Sequence, residues 1–511
     1  MYRRAAAREK AVLNPMARFQ PPRSTRDLPP AEAALRKHVE TEFGRVAETY
    51  GFQPVGTPTF ETVELFSARS GPEIKSSLLT FHCDHEELAL RPEMTAPVCR
   101  LVSSGALGDD SLPHKLYYVA PCFRYCRPGS GRYREFTQAG IECIGEPGAA
   151  ADAEVIAAAY RFLETIGIAK PTLRIGNVGI FGQLLREDLG ADDRAIVIGH
   201  LDRLMGIRER CRELAESQDA LLFGELKIDR MDLASLQEQA DYAGPDRIEE
   251  RQVAGAAELA ELMPREAEAT YRRLWDVQDL VPRATADLLI AVSRLQGPLA
   301  SVDQEARALL KGTRATGALD ELLAVCRQVE MYGHGEIEVV LGIARGFTFY
   351  TSTVFEILST GPRGVRKYCG GGRYDRLIGE FGGPELPATG CAFRFDSLLD
   401  EVRATGAWST PKAFQLFLLA ASESALSEAV GLAETLRSGG IRTGVAVGPQ
   451  NKPTAADCAA RKTERIGLVS GRPGGEITIS DGNVSEVAPS DAEGLLRRLT
   501  SLASATKNLK Q

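Results

Sequence analysis

The residues best suited to chemistry include an amide and a carboxylate on one short segment, EFTQAGIECIG. Its pattern predicts a strand. Side chains two apart in a strand share a face, so Gln138, Gly140 and Glu142 point the same way. A Gln and a Glu on one open sheet face suit a polar pocket better than a core, where each would need its own buried partners. A second acid, Glu93, precedes Thr95 in LRPEMTAPVCR. Four arginines stand near other polar segments: Arg124 at the end of HKLYYVAPCFRY, Arg132 in CRPGSGRYR, Arg345 in ARGFTFY and Arg394 in ATGCAFRFDSLL. A lone loop arginine is usually a solvated charge. A triphosphate, by contrast, needs cations for charge neutralisation and positioning. Gly370, Gly371 and Gly372 in KYCGGGRYD remove side-chain bulk and let backbone approach a ligand.

These residues need elements to hold them. PPRSTRDLPPAEAALRKHVETEFGRVAETYGF predicts a turn and an amphipathic helix, with Asp27 and the Pro pair at its start. PVGTPTFETVELF predicts a strand running into a short helix, and LLTFHCDHEELALRPEMTAPVCRLV a hairpin running into a helix, with Asp84, His85 and Glu86 at the hairpin tip. HKLYYVAPCFRY and EFTQAGIECIG form two strands around the loop CRPGSGRYR, and ADAEVIAAAYRFLETIGI forms an apolar-striped helix. Residues 190–335 are rich in Ala, Leu, Glu and Arg at helical spacing and predict a helical insertion. IEVVLGIA and YTSTVFEI follow as strands, then a Gly-rich turn at Gly370–Gly372, then a strand and helix in ATGCAFRFDSLLDEV. Beyond Pro411 the pattern β-α-β-α-β-β predicts a small separate α/β domain.

Composition narrows the class. The chain has 511 residues, more than one ordinary domain, with 44% hydrophobic and 25% charged residues, as in a globular protein. No apolar run is long enough to cross a bilayer, so no membrane partner is expected. The start, MYRRAAAREKAVLNPM, is basic without an apolar core. It is not a secretory signal, and residues 1–20 are expected to be a disordered extension of a cytoplasmic protein. Net charge is −8, from 61 basic and 69 acidic residues, so any nucleic-acid contact must use a local basic groove. The ten cysteines are scattered without a CxxC pair and are expected to be reduced. Cys122 with Cys126, and His82, Cys83 and His85, lack a matching second half for zinc, and no metal site is expected.

Four segments in order, LRPEMTAPVCR, FRYCRPGSGRYREFTQAGIECIG, ARGFTFYTSTVFEI and GGGRYDRLIGEFGGPELPATGCAF, together with the early PPRSTRDLPP, resemble the class II histidyl-tRNA synthetase family over about 20–500. The resemblance implies an α+β fold: a class II aminoacyl-tRNA synthetase antiparallel sheet core in two parts, 21–189 and 336–408, around the insertion 190–335. It also implies an anticodon-binding-like α/β domain at 412–511, and a homodimer. For the site it implies histidine binding: Glu93 and Thr95 on the ammonium, Gln138 on the polar backbone of the ligand, Glu142 and Tyr350 on the imidazole. Arg124 matches the arginine that grips the α-phosphate, Arg132 one close to ATP, and Arg345 the one that stabilises the transferring phosphoryl group.

Departures from the family pattern fall on the ATP side. Cys126 replaces an acidic residue that holds the adenine amino group, and a thiol is a poor acceptor. Ser397 stands where an arginine holds the γ-phosphate. Its loss costs several kcal/mol of ATP binding, at about 1.5–3 kcal/mol per charge-assisted hydrogen bond. Arg394, three residues earlier, replaces a small residue; it either reaches the phosphates from a new direction or blocks the adenine. Thr348 and Phe349 replace an Asp-Tyr pair. The resemblance therefore leaves two functions open. The slightly favoured one is a histidine-binding paralogue without ATP activation, such as the regulatory subunit that partners the catalytic subunit of ATP phosphoribosyltransferase in histidine biosynthesis. The alternative is an active histidine–tRNA ligase using ATP, Mg and tRNA-His.

Overall fold

The strands carrying the candidate residues sit near the middle of a nine-stranded sheet in a computed structural model. The structure describes residues 19–67, 72–108, 112–126, 133–185, 282–343, 349–361, 364–406, 408, 412, 414–448, 454–461, 463–469, 477–481, 485–488, 493–495, 497 and 499. The chain divides into two compact units, Met1–Trp408 and Ser409–Gln511.

The strands of the first unit are β1 (Gln53–Pro54), β2 (Phe60–Thr62), β3 (Leu79–Cys83), β4 (Glu86–Leu90), β5 (His114–Phe123), β6 (Glu135–Ile144), β7 (Thr172–Asn177), β8 (Gln296–Gly297), β9 (Glu336–Val340), β10 (Thr353–Gly361), β11 (Gly364–Arg373) and β12 (Ala388–Arg394). The main sheet runs β1-β5-β6-β12-β11-β10-β7-β9-β8, antiparallel except where β1 joins β5 and β7 joins β9. β2, β4 and β3 form a smaller sheet. The hairpin between β3 and β4 turns through Asp84 and His85, both at positive φ, the backbone a tight two-residue turn requires.

One face of the main sheet is packed with helices. α1 (Pro30–Thr49) starts with Pro30 in its first turn, where the missing N–H costs nothing, and buries Leu35, Val39, Phe43 and Val46 at helical spacing. α2 (Thr95–Ser103) lies on the opposite face, and α3 (Ala149–Thr165) is buried almost all round. Its alanines let it lie tightly between the sheet, α1 and α4 (Thr316–Met331). Phe43, Phe162 and Phe393 meet edge to face with centroids 5.0–5.5 Å apart and join α1, α3 and β12. Each such pair is worth about 0.5–1.5 kcal/mol beyond the area it buries. Ala139, Ile141 and Cys143 of β6 belong to this core, which leaves Gln138 and Glu142 for the other face.

The fold is the expected α+β class, with three differences in detail. Gly370–Gly372 were expected in a turn but lie inside β11. Neighbouring groups crowd the strand there: a Cβ on Gly371 would fall 2.1 Å from the Gly390 carbonyl oxygen, and one on Gly372 2.4 Å from that of Thr353. β7 was not foreseen. Of the stretch expected as an insertion, 190–281 lies outside the described residues. Its described end packs into the main core through Leu319, Leu322, Val325 and Val329 of α4. The expected N-terminal extension lies outside the described residues up to residue 18. Among the described residues no helix is long and apolar enough to cross a membrane.

The second unit has β13 (Phe414–Ala420), β14 (Thr443–Val447), β15 (Thr463–Val469), β16 (Ile477–Ser480) and β17 (Ser485–Ala488) in the order β14-β13-β15-β16-β17. The expected alternation is present, with β17 added at the edge. A helix at Glu423–Ser438 is capped by Ser422, and one at Ala455–Ala460 opens with a Thr454–Asp457 capping box, two reciprocal bonds that satisfy orphan backbone donors.

Candidate functional site

β6 runs between β5 and β12, and the pairing fixes what stands over its open face. Gly140 lies opposite Tyr118 of β5 and Ala392 of β12, while Glu142 lies opposite Leu116 and Gly390. Two glycines make the room. A Cβ on Gly390 would fall 1.7 Å from Glu142 Oε2, and one on Gly140 2.4 Å from the Tyr118 hydroxyl. The carboxylate of Glu142 therefore lies where β12 would otherwise carry a side chain.

Glu142 is 1% exposed and is held by three hydroxyls. Thr95 Oγ1 and the Tyr118 hydroxyl donate to Oε1 at 2.9 and 3.0 Å, and the Tyr374 hydroxyl donates to Oε2. Burial pushes its carboxyl up to about 8; the three donors oppose the rise and the charge of Glu93 adds to it. Three accepted bonds still leave a carboxylate capacity for one more donor.

Glu93 is a different kind of acid. It sits just before α2 and takes the Thr95 N–H at 2.7 Å and the Ala96 N–H at 3.1 Å, satisfying the orphan donors of the helix start. Burial raises its pKa, against those amides and the nearby Arg124 charge. Thr95 thus touches both acids: its N–H serves Glu93 and its hydroxyl serves Glu142.

Gln138, two rungs along β6 from Glu142, accepts a bond from the Cys122 thiol to Oε1 at 3.4 Å. The Tyr350 ring lies against Gly372, whose added Cβ would meet it at 2.9 Å. Phe349 packs between Tyr350 and Tyr374, with centroids 4.8 and 5.8 Å away, so this replacement fills space beside the acids. Tyr374 reaches Glu142 because strand alternation turns Arg373 the other way. There Arg373 is buried against Asp152 of α3 at 2.8 Å and the Gly148 carbonyl at 2.9 Å.

The arginine side is built from segment ends. Arg124, just past β5, donates from Nε to the Pro92 carbonyl at 2.8 Å and lies over the Phe136 ring at 5.4 Å. Arg394 ends β12, opposite Gln138 and exposed. Ser397 lies in the first turn of α5 (Phe395–Thr405), next to Asp396. Asp396 takes the Thr137 N–H at 3.1 Å and pairs with Arg26, whose guanidinium also covers Tyr133 at 4.3 Å. Cys126 is half-buried, its carbonyl bonded by Arg134 Nε at 3.3 Å. Arg132, Arg345 and Thr348 lie outside the described residues.

The structure thus gathers Glu93, Thr95, Gln138, Glu142 and Tyr350 along one face, with Arg124 and Arg394 at its Gln138 end. Sequence reasoning missed Tyr118, Tyr374 and Cys122. A signal for Tyr118 was present in Gly140, since a strand glycine marks a close approach from the neighbouring strand.

The family model described as "Histidyl-tRNA synthetase" matches residues 24–254 and 248–398. The histidine–tRNA ligase of Methanocaldococcus jannaschii is 34% identical over 383 residues, covering 75% of each chain. That of Pyrococcus abyssi is 30% identical, covering 93% of this chain and 98% of the relative. Among solved structures, the histidyl-tRNA synthetase of Nostoc superposes with a TM-score of 0.65 at 18% identity, covering 95% of this chain and 99% of that one. A Bacillus halodurans chain described as an ATP phosphoribosyltransferase regulatory subunit/histidyl-tRNA synthetase gives 0.62 at 23%, covering 89% and 99%. At these identities the superpositions bear on fold alone.

Proposed function

Because the chain belongs to the histidyl-tRNA synthetase family, we propose that its open sheet face binds free histidine and that the protein is a paralogue without ATP activation. The observation that carries the reading is the buried Glu142 carboxylate, held by three hydroxyls with acceptor capacity to spare. An imidazole N–H fills that capacity. A ligand lacking it leaves a desolvated acid unpaired, which costs more than the bond itself is worth. Tyr350 meets the other ring nitrogen, Glu93 and Thr95 meet the ammonium, and Gln138 meets the backbone end of the ligand.

The residues on the phosphate side fit ATP poorly. Cys126 offers no strong acceptor to the adenine amino group, and Ser397 offers no cation to the γ-phosphate. No step through ATP or magnesium follows from them. A sensor needs only the amino-acid pocket and a partner whose state the ligand biases. In this reading the protein is a cytoplasmic homodimer, and its partner is the catalytic subunit of ATP phosphoribosyltransferase.

A second reading, an active histidine–tRNA ligase using ATP, Mg and tRNA-His, is favoured by Arg124 beside Glu93 and by Arg394 on the ligand face. It is also favoured by the relatives, which are named histidine–tRNA ligases. In it, Arg124, Arg132 and Arg345 neutralise the phosphates, Arg394 substitutes for the missing cation, and the second unit contacts tRNA.

The deciding experiment is histidine-dependent ATP–pyrophosphate exchange on the purified protein, beside calorimetric titration with histidine. The sensor reading expects binding without exchange. Exchange at ligase rates replaces it with the second reading, and absence of both refutes the two together.

A further inference from the structure

Resting on the reading that this face binds histidine, we infer that Cys122 is a positioning residue that turns Gln138 so that its amide N–H groups meet the carboxylate of the ligand. A glutamine end is two-sided, with an acceptor oxygen on one side and two N–H donors on the other. Which side faces the ligand decides whether it receives an ammonium or an oxyanion. Here the Cys122 thiol donates to Oε1 at 3.4 Å from the neighbouring strand. That contact assigns the oxygen to the β5 side and leaves the N–H groups for the site.

The thiol keeps a proton to donate. Cys122 is 0% exposed. Burial, with the charge of Glu93, pushes its pKa up to about 12 against Arg91 and Arg124, so the sulfur keeps its proton. The surroundings agree on the sign. Arg394 lies opposite Gln138, and Arg124 leaves the end of β5 nearby, so donors and cations gather at the Gln138 end. Glu142 lies two rungs away along β6, and Glu93 lies close to Arg124 and Cys122 as well as to Glu142. Cations therefore flank Gln138 on the side away from Glu142, where the carboxylate of a zwitterionic amino acid would lie with its imidazole on Glu142. Cys122 sets the polarity of an amide that could otherwise have faced either way.

The test is calorimetric titration of the full-length protein with histidine and with histidinol, which carries an alcohol in place of the carboxylate. Cys122→Ala frees the amide to turn, and histidine affinity should fall about fivefold, the worth of one ordinary hydrogen bond, while histidinol affinity stays constant. Cys122→Ser keeps a donor and should restore the histidine-to-histidinol ratio. The inference is overturned if Cys122→Ala weakens both ligands equally, as a packing defect would, or leaves both unchanged. It is overturned too if Cys122→Ser behaves like Cys122→Ala. Failure of the unmodified protein to bind histidine sinks the histidine reading itself, an outcome distinct from a changed ratio.

Discussion

The acidic and arginine ends of the site are built differently. Glu142 lies on a central strand beneath two glycines, with hydroxyls from β5, α2 and the residue after β11 closed around it. Arg124 and Arg394 sit where strands end, and the neighbouring family positions hold Cys126 and Ser397. Substituting Glu142 strands three buried hydroxyls at once. Arg394, at the rim, is exposed instead. The acid end is thus bound into the core in a way that an exposed rim position is not.

The largest test of the contrast is Arg373→Ala. It leaves Asp152 charged and unpaired in the core and should destabilise the first unit by about 3–5 kcal/mol in chemical denaturation. A loss below about 1 kcal/mol would mean that this ion pair does not anchor the acid end. Next comes pH. The Glu142 carboxyl is raised from near 4.5 to about 8, so between those values the folded state binds more proton than the unfolded. Its contribution to stability is full below 4.5 and lost as pH rises through 8. Relative to Glu142→Gln, the unmodified protein should lose on the order of a few kcal/mol from pH 5 to 8. Parallel stability curves for the two proteins would show the carboxylate ionised throughout.

Glu142→Ala should weaken histidine binding about a hundredfold by calorimetry, the cost of leaving the imidazole N–H without its buried partner. Unchanged affinity would move the imidazole elsewhere. At the rim, Ser397→Arg should tighten ATP about tenfold, the low end for a charge-assisted bond, without altering histidine affinity. No gain would mean that position 397 does not limit ATP binding. The smallest effect is expected from Tyr374→Phe, which removes one of three donors to Glu142 and should cost about 1 kcal/mol of stability.

Much of the strand framework was legible because it obeys a period of two. The alternation in EFTQAGIECIG placed Gln138 and Glu142 together, and β6 has that arrangement. What escaped notice was cross-strand. Tyr118 and Cys122 stand on β5, and register between strands is set by pairing rather than by either segment alone. The glycine run misled for a related reason: glycine marks turns and close approaches alike, and only the neighbours distinguish them. β7, TLRIGN, follows Pro171 and ends in Gly176 and Asn177, turn-forming residues that hide a strand in its sequence.

The clasp between Arg26 and Asp396 joins points 370 residues apart in the chain. During synthesis, at about 5–20 residues per second, Arg26 is made roughly 20–75 s before its carboxylate partner. In that interval Tyr133 is available to the guanidinium and the rim beside Ser397 is not yet made. The site is thus among the last parts of the first unit to be finished, and a nascent chain paused before β12 carries the acids without the strand that closes over them.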